Sequence, residues 1–199
     1  MIPSQSKSEL DKNTISNEEM LLLPLHAYTG NVVLIQTAAE LENTVKALEQ
    51  STILGFDTET RPSFKRGESY KVALIQLATA DTVYLIQIQK TGLSERFTTI
   101  LSNPNIIKAG VAIRDDIKGL QKYRHFTAEG FVDLSLVARE KGIGVESVKK
   151  MTALLLGFRI SKSAQTSNWE TPTLTEKQIE YAATDAWVCL EIYKKLKGE

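Results

Sequence analysis

Two acids two residues apart, Asp57 and Glu59 in the run GFDTET, are the first residues with chemical promise. Side chains at i and i+2 of a strand leave the same face, so the pair would present two carboxylates together. The preceding Ile53-Leu54-Gly55-Phe56 is apolar enough for a central strand, although a strand end running into solvent explains Asp-x-Glu by itself better than a site does. Asp116 is more telling. It falls on the apolar stripe Ile113, Ile117, Leu120 of a helical pattern, whereas Asp115 points about 100° away with Gly119 and Lys122. An acid complementing a helix N-terminus accounts for Asp115; an inward Asp116 must be paired or bind a metal. Tyr181 and Asp185 in YAATD form an i, i+4 pair on one helical face. Ala182, Ala183 and Ala186 around them are small enough for another backbone to approach closely. A buried hydroxyl with an aspartate partner explains this last pair as well as catalysis does.

Gathered at one point, the four carboxylates would repel one another by about 4 kcal/mol per pair at 4 Å and an effective dielectric of 20. Such a cluster persists only when protons or cations neutralise it. All-oxygen ligation selects hard divalent ions, Mg²⁺ or Mn²⁺, over zinc. Two such ions about 3.5–4 Å apart make the clamp used for in-line phosphodiester cleavage. Periodicity alone does not bring the four acids together.

The elements that must position them alternate between strand and helix patterns. Residues 32–36 read as a short strand, and Thr37-Ala-Ala-Glu40 as a capping box opening a helix to about residue 50. Strand patterns cover 53–59, 71–78 and 82–87, separated by the turn-rich RPSFKRGESY and by Thr79-Ala-Asp81. A helix near 93–101, a strand at 106–109 and helices at 113–123, 134–141 and 145–156 follow, the last stopped by Gly157. A loop leads to a final helix, 176–197, with Thr175 as N-cap and Gln178 completing a second capping box. This order predicts an α/β fold with a mixed sheet. Residues 1–22 are polar and aperiodic and read as a flexible N-terminal arm, leaving 23–199 as the folded domain.

Composition narrows the classes. The single Cys189 rules out an internal disulfide framework and a cysteine-based zinc site. Twenty-four basic and 24 acidic residues give zero net charge, which counts mildly against a passive coat on nucleic acid. No apolar run approaches membrane-spanning length, and the first residues lack the apolar core of a secretory signal, so a cytoplasmic protein without membrane contact is expected.

Taken together, FDTET, AGVAIRDDIKGL and YAATD resemble the three exonuclease motifs of the DEDD superfamily, in the order found in ribonuclease D and the Werner-type exonuclease domain. KVALIQLA resembles the family's second strand, and SKSAQTSNWE its approach to the third motif, so the likeness spans nearly the whole chain. The resemblance implies a ribonuclease H-like fold, a mixed five- to six-stranded sheet flanked by helices. It implies a 3′-5′ exonuclease hydrolysing phosphodiester bonds at the 3′ end of DNA or RNA and releasing nucleoside 5′-monophosphates. Asp57, Glu59, Asp116 and Asp185 would be the metal ligands, and Tyr181 the tyrosine of the DEDDy subgroup. The sister subgroup has a histidine where this chain has Glu180, and His26 and His125 fall elsewhere. By the same resemblance, Asp57 would bridge two Mg²⁺ or Mn²⁺ ions, Glu59 and Asp185 would hold one of them, Asp116 would act on the other largely through water, and Tyr181 would orient the attacking water. The flanks resemble the Werner-type domain more, a slight lean to DNA. A helicase or another repair or RNA-processing partner would fit such an enzyme, and oligomeric state is left open. The competing readings are a non-catalytic nucleic-acid-binding module on the same fold and, less well supported because histidines are scarce, a two-metal phosphatase.

Secondary candidates surround this set. Phe64 and Trp169 could stack on a terminal base, and Lys65, Arg66 and Lys71 could hold the strand's phosphates, although a solvated loop explains Lys65 and Arg66 at least as well. Trp169 also suits a structural place under the final helix. Lys108, Arg114, Lys118, Lys122 and Arg124 form a denser basic set, more simply a solvated helix face. Asp133 reads as the N-cap of the helix beginning at Leu134.

Overall fold

Each strand pattern in the sequence becomes a strand of one sheet, and the acids cluster where the central strand ends. The computed structural model describes residues 13–65 and 67–198. In chain order the elements are α1 (Asn17–Leu22), β1 (Asn31–Ile35), α2 (Ala38–Leu48), β2 (Ile53–Thr60), β3 (Val72–Ala78), β4 (Thr82–Gln87), α3 (Ile88–Thr91) and α4 (Glu95–Leu101). Then come β5 (Ile107–Gly110), α5 (Arg114–Gln121), β6 (Phe131–Asp133), α6 (Leu134–Glu140), α7 (Val148–Met151) and α8 (Glu176–Lys197).

The six strands lie in the order β1-β4-β3-β2-β5-β6. The run β4-β3-β2 is antiparallel, and parallel pairs flank it at β1·β4, β2·β5 and β5·β6. The mixed sheet is thus six-stranded; β6 is the strand that the sequence pattern does not announce, three residues with none fully buried. One face of the sheet carries α2 and α4, whose Leu41, Val45, Leu48, Phe97 and Ile100 pack against Leu54 and Phe56 of β2. The other face carries α8, whose Ala182, Ala183, Ala186 and Leu190 pack against Leu74, Ala78 and Leu85.

Both predicted capping boxes form, at Thr37/Glu40 and Thr175/Gln178. The helix expected over 145–156 begins later, at α7, and continues from Thr152 to Leu156 as a π-helical turn before Gly157 closes it in the left-handed conformation at φ 77°. The arm also departs from expectation. Ser16 and Glu19 form a capping box for α1, a signal that aperiodic apolar spacing hid. Just before it, the carbonyl of Asn13 accepts a 2.7 Å hydrogen bond from the Gly144 amide. The rest of the arm, residues 1–12, and Arg66 lie outside the described residues. Among the described residues no helix is long and apolar enough to cross a membrane.

Candidate active site

The site is built on the C-terminal half of β2. Asp57 pairs in register with Gln76 and Glu59 with Leu74, and the register slips between Glu59 and Thr60. A bulge of this kind re-aims the side chains beside it. Asp57 and Glu59 face α8, as does Gly55 one step earlier on the same side of the strand. At Gly55 a Cβ would lie 2.0 Å from the Ala186 carbonyl oxygen, so only glycine lets α8 approach this closely. The fully buried Ala182, Ala183 and Ala186 complete the approach from the helix side. The small residues therefore place Asp185 and Tyr181, 6% and 7% exposed, directly over Asp57 and Glu59. Carboxylate oxygens of Asp57, Glu59 and Asp185 all lie within 4.8 Å of one another.

Asp116 arrives by another route. Its helix, α5, packs into the opposite layer through Ile113 and Leu120. Asp116 Oδ1 accepts a hydrogen bond from the Thr58 hydroxyl, the residue between the two acids of β2 whose side chain turns to the other face. Asp116 therefore stands at the edge of the cluster and not inside the group of three. The turn before α5 is strained: Ala112 has φ 57°, rarely adopted by a residue with a side chain. Its amide donates to Asp133 Oδ1 at 3.1 Å, and the same oxygen accepts from the Ser135 amide at 2.9 Å. Asp133 is thus the expected N-cap of α6 and, in addition, a latch on the turn that aims α5.

Burial shifts every acid in the same direction, and the neighbouring carboxylates add to it at Asp57 and Glu59. Burial, then the neighbouring Asp57, Asp185 and Asp116, push Glu59 up to about 10, with Lys149 opposing. Asp57 is raised well above the carboxylate range by burial and by Asp185 and Asp116. Asp185 rises to about 6 through burial, held back by the Tyr181 hydroxyl and Lys149. Burial raises Asp116, against the Thr58 hydrogen bond. The phenol of Tyr181 is driven far above its ordinary range by burial and by the Asp185 and Glu59 charges, so it stays protonated at any working pH. Four acids that all resist ionisation together are what a divalent cation would relieve, and their oxygen-only donor set suits a hard ion.

The cluster opens into a cleft of about 400 Å³ lined by Asp57, Glu59, Tyr181 and Asp185 and also by Ser147, Lys149 and Gln165. An adjoining cleft of about 390 Å³ shares Pro62 and carries Arg61, Phe64, Lys65 and Tyr70. Phe64 is 85% exposed, free to meet a base, and Lys65 has its ammonium 3.8 Å from Glu68. Other secondary candidates fall elsewhere. For Trp169 the stacking reading is corrected and the structural alternative holds: 1% exposed and packed 6.0 Å from the Tyr181 ring, it has no face open to a base and lies against α8. Lys71 lies 5.3 Å over the Tyr123 ring and lines neither cleft. Lys108 is fully buried and donates to the carbonyls of Ile100 and Asn103, capping the end of α4, so it leaves the exposed basic set. Lys118 pairs with the exposed Asp115 at 3.5 Å.

Lys149 and Thr58 are the residues that the sequence reasoning passed over. A signal for the lysine existed: it lies three and four residues before Thr152 and Ala153, both buried, the same stripe logic that singles out Asp116.

Comparison with known proteins bears on this geometry. Residues 32–199 match a family model described as a 3′-5′ exonuclease. The chain is 35% identical over 184 residues to the bifunctional 3′-5′ exonuclease/ATP-dependent helicase WRN of Mus musculus, an alignment covering 87% of this chain and 13% of that protein. Among solved structures it resembles the Nibbler EXO domain of Aedes aegypti, with a TM-score of 0.79, 26% identity and coverage of 87% of this chain and 91% of that one. It likewise resembles Escherichia coli RNase D, an exoribonuclease involved in structured RNA processing, with a TM-score of 0.76, 26% identity and coverage of 84% and 44%. The chain spans 13%, 42% and 27% of the length of three relatives that it matches. These likenesses agree with the ribonuclease H-like sheet expected from the motifs.

Proposed function

Because the chain belongs to the 3′-5′ exonuclease family, we propose that it hydrolyses phosphodiester bonds from the 3′ end of a nucleic-acid strand and releases nucleoside 5′-monophosphates. The observation that carries this is the convergence of Asp57, Glu59 and Asp185 oxygens within 4.8 Å, with Asp116 at their edge and a protonated Tyr181 beside them, in an open cleft.

The three converging acids fit a hard divalent cation, and Asp116 would serve a second one through water; Mg²⁺ and Mn²⁺ are the candidates. When bound, such ions supply Lewis-acid stabilisation of charge on the phosphate and the leaving 3′ oxygen. The chain's own residues do the rest. Tyr181 keeps its proton, so its hydroxyl orients the attacking water by hydrogen bonding and does not serve as the base. Asp185, held by helix packing, fixes that hydroxyl from one side. Phe64 in the adjoining cleft offers a stacking face and Lys65 a cation for the strand leading into the site. DNA is the first substrate to test and RNA the second. A helicase or another repair or RNA-processing partner would supply the free 3′ end.

The test uses 5′-labelled 3′-recessed duplex DNA and 5′-labelled single-stranded RNA, each with Mg²⁺ or Mn²⁺ and with EDTA. Ladders shortening from the 3′ end only with metal are expected. Intact substrates that still shift in a gel would replace this proposal with a non-catalytic binding module.

A further inference from the structure

We propose that Lys149, which lines the same cleft as the acids, is a substrate-binding residue that holds the phosphate of the 3′-terminal nucleotide. The inference rests on the exonuclease reading of this site. Lys149 lies in the first turn of α7 and lines the cleft that Asp57, Glu59, Tyr181 and Asp185 also line. The ammonium donates to Gln165 Oε1 at 3.0 Å and lies 5.9 Å from the centre of the Tyr181 ring. It is close enough to Asp185 and Glu59 to feel their charge, yet among the described residues no carboxylate is within ion-pair distance of it. An ordinary surface lysine extends into water; this one is half-buried, which disfavours its charge, and the nearby Lys162 disfavours it further.

A cation placed this way shares the cleft with the acids and is not ion-paired with them. Divalent ions on Asp57, Glu59 and Asp185 would cancel the attraction that now draws the ammonium towards those acids. With the acids' charge offset in this way, the ammonium would be left as the free positive charge of the cleft, a partner for an anion seated there. In a nucleic acid that anion is a phosphodiester, and in the released product a nucleoside 5′-monophosphate. Lys149 would bind a non-bridging oxygen, while Gln165 holds the stem in place and the Tyr181 ring bounds its motion. The contact is to phosphate, so it carries no base preference.

The probes are thymidine 5′-monophosphate and thymidine, measured by calorimetry with Mg²⁺ against the parent, Lys149→Met and Lys149→Arg, alongside Mg²⁺ titrations of each protein. For Lys149→Met, binding of the monophosphate weakens about tenfold, as expected for one charge-assisted contact. Its dependence on salt becomes shallower, since one cation fewer meets the phosphate. Thymidine binding is unchanged, Mg²⁺ affinity is equal or higher, and Lys149→Arg stays near the parent. An unchanged monophosphate affinity in Lys149→Met overturns the proposal, and so does an equal loss for thymidine, which would mark a packing effect. If the parent neither shortens 3′ ends nor prefers the monophosphate to thymidine, the reading of the whole site fails; if it does both while Lys149→Met is neutral, only the assignment of Lys149 fails.

Discussion

Helix α8 runs 22 residues and buries thirteen of them, whereas α5 runs 8 and buries Leu120 alone. One brings Asp185 into the cleft, the other Asp116 to the edge of the acid cluster. Asp185 is placed by volume: Gly55 and three alanines remove every side chain that would hold helix and strand apart. Asp116 is placed by polar contacts, the Thr58 hydroxyl from the strand and the Asp133 latch on the strained Ala112 turn. Packing over many residues is hard to move, while a short helix seated by few buried side chains and these polar contacts has more freedom to adjust. The ion held by Asp57, Glu59 and Asp185 would therefore sit on the rigid side of the site, and the adjustable side belongs to Asp116.

The comparison can be broken most severely at the acids themselves. Asp57→Ala or Asp185→Ala should lower turnover by roughly 10³-fold or more with the fold intact by circular dichroism; unchanged rates in either would remove the metal site from the mechanism. Gly55→Ala attacks only the packed side. Its methyl group collides with the Ala186 carbonyl, so α8 must shift, and a displacement of about 1 Å costs roughly 10²-fold in turnover. Urea denaturation should show about 1–3 kcal/mol of lost stability. Retention of both rate and stability would mean that the helix is not seated by this contact.

Tyr181→Phe keeps the packing and deletes the hydroxyl, so turnover should drop some tens of fold with KM nearly constant, read from steady-state kinetics on a labelled oligonucleotide. Equal turnover would leave tyrosine out of the chemistry. On the adjustable side, Thr58→Val releases Asp116 and should cost about tenfold, while Thr58→Ser stays near the parent; a valine variant as active as the serine one would show that Asp116 needs no anchor.

The smallest effect is on stability and pH. Burial pushes the Glu59 carboxyl up to about 10 from its ordinary 4.5, so the native state holds the extra proton between those limits. Its stabilising share is complete below the lower value and is lost as pH rises towards the upper one. Metal-free protein should therefore melt a few degrees lower at pH 8 than at pH 6, and added Mg²⁺ should raise the melting temperature more at pH 8. A melting temperature that rises with pH in EDTA would contradict the crowding of the acids.

Much of this was legible in the residues. The i, i+2 spacing placed Asp57 and Glu59 on one face, the stripe logic turned Asp116 inward and Asp115 outward, and the small residues around Asp185 announced a close approach. These features are local, set by the fixed periods of strand and helix. Short or unpatterned pieces escaped. The three residues of β6 have no fully buried side chain to reveal them, and the buried Lys108 looks like any surface lysine until its carbonyl partners are known.

The sequence by itself determined which groups are available: four acids, one tyrosine, and the strand and helices that carry them, since side-chain direction follows from backbone period. Only the tertiary structure decided that three of the acids share one point while Asp116 stands aside on Thr58, that Trp169 is sealed in the core, and that Lys149 lines the same cleft as the acids. Those relations join residues far apart in the chain, and they are fixed by how β2, α5, α7 and α8 pack, which no local spacing encodes.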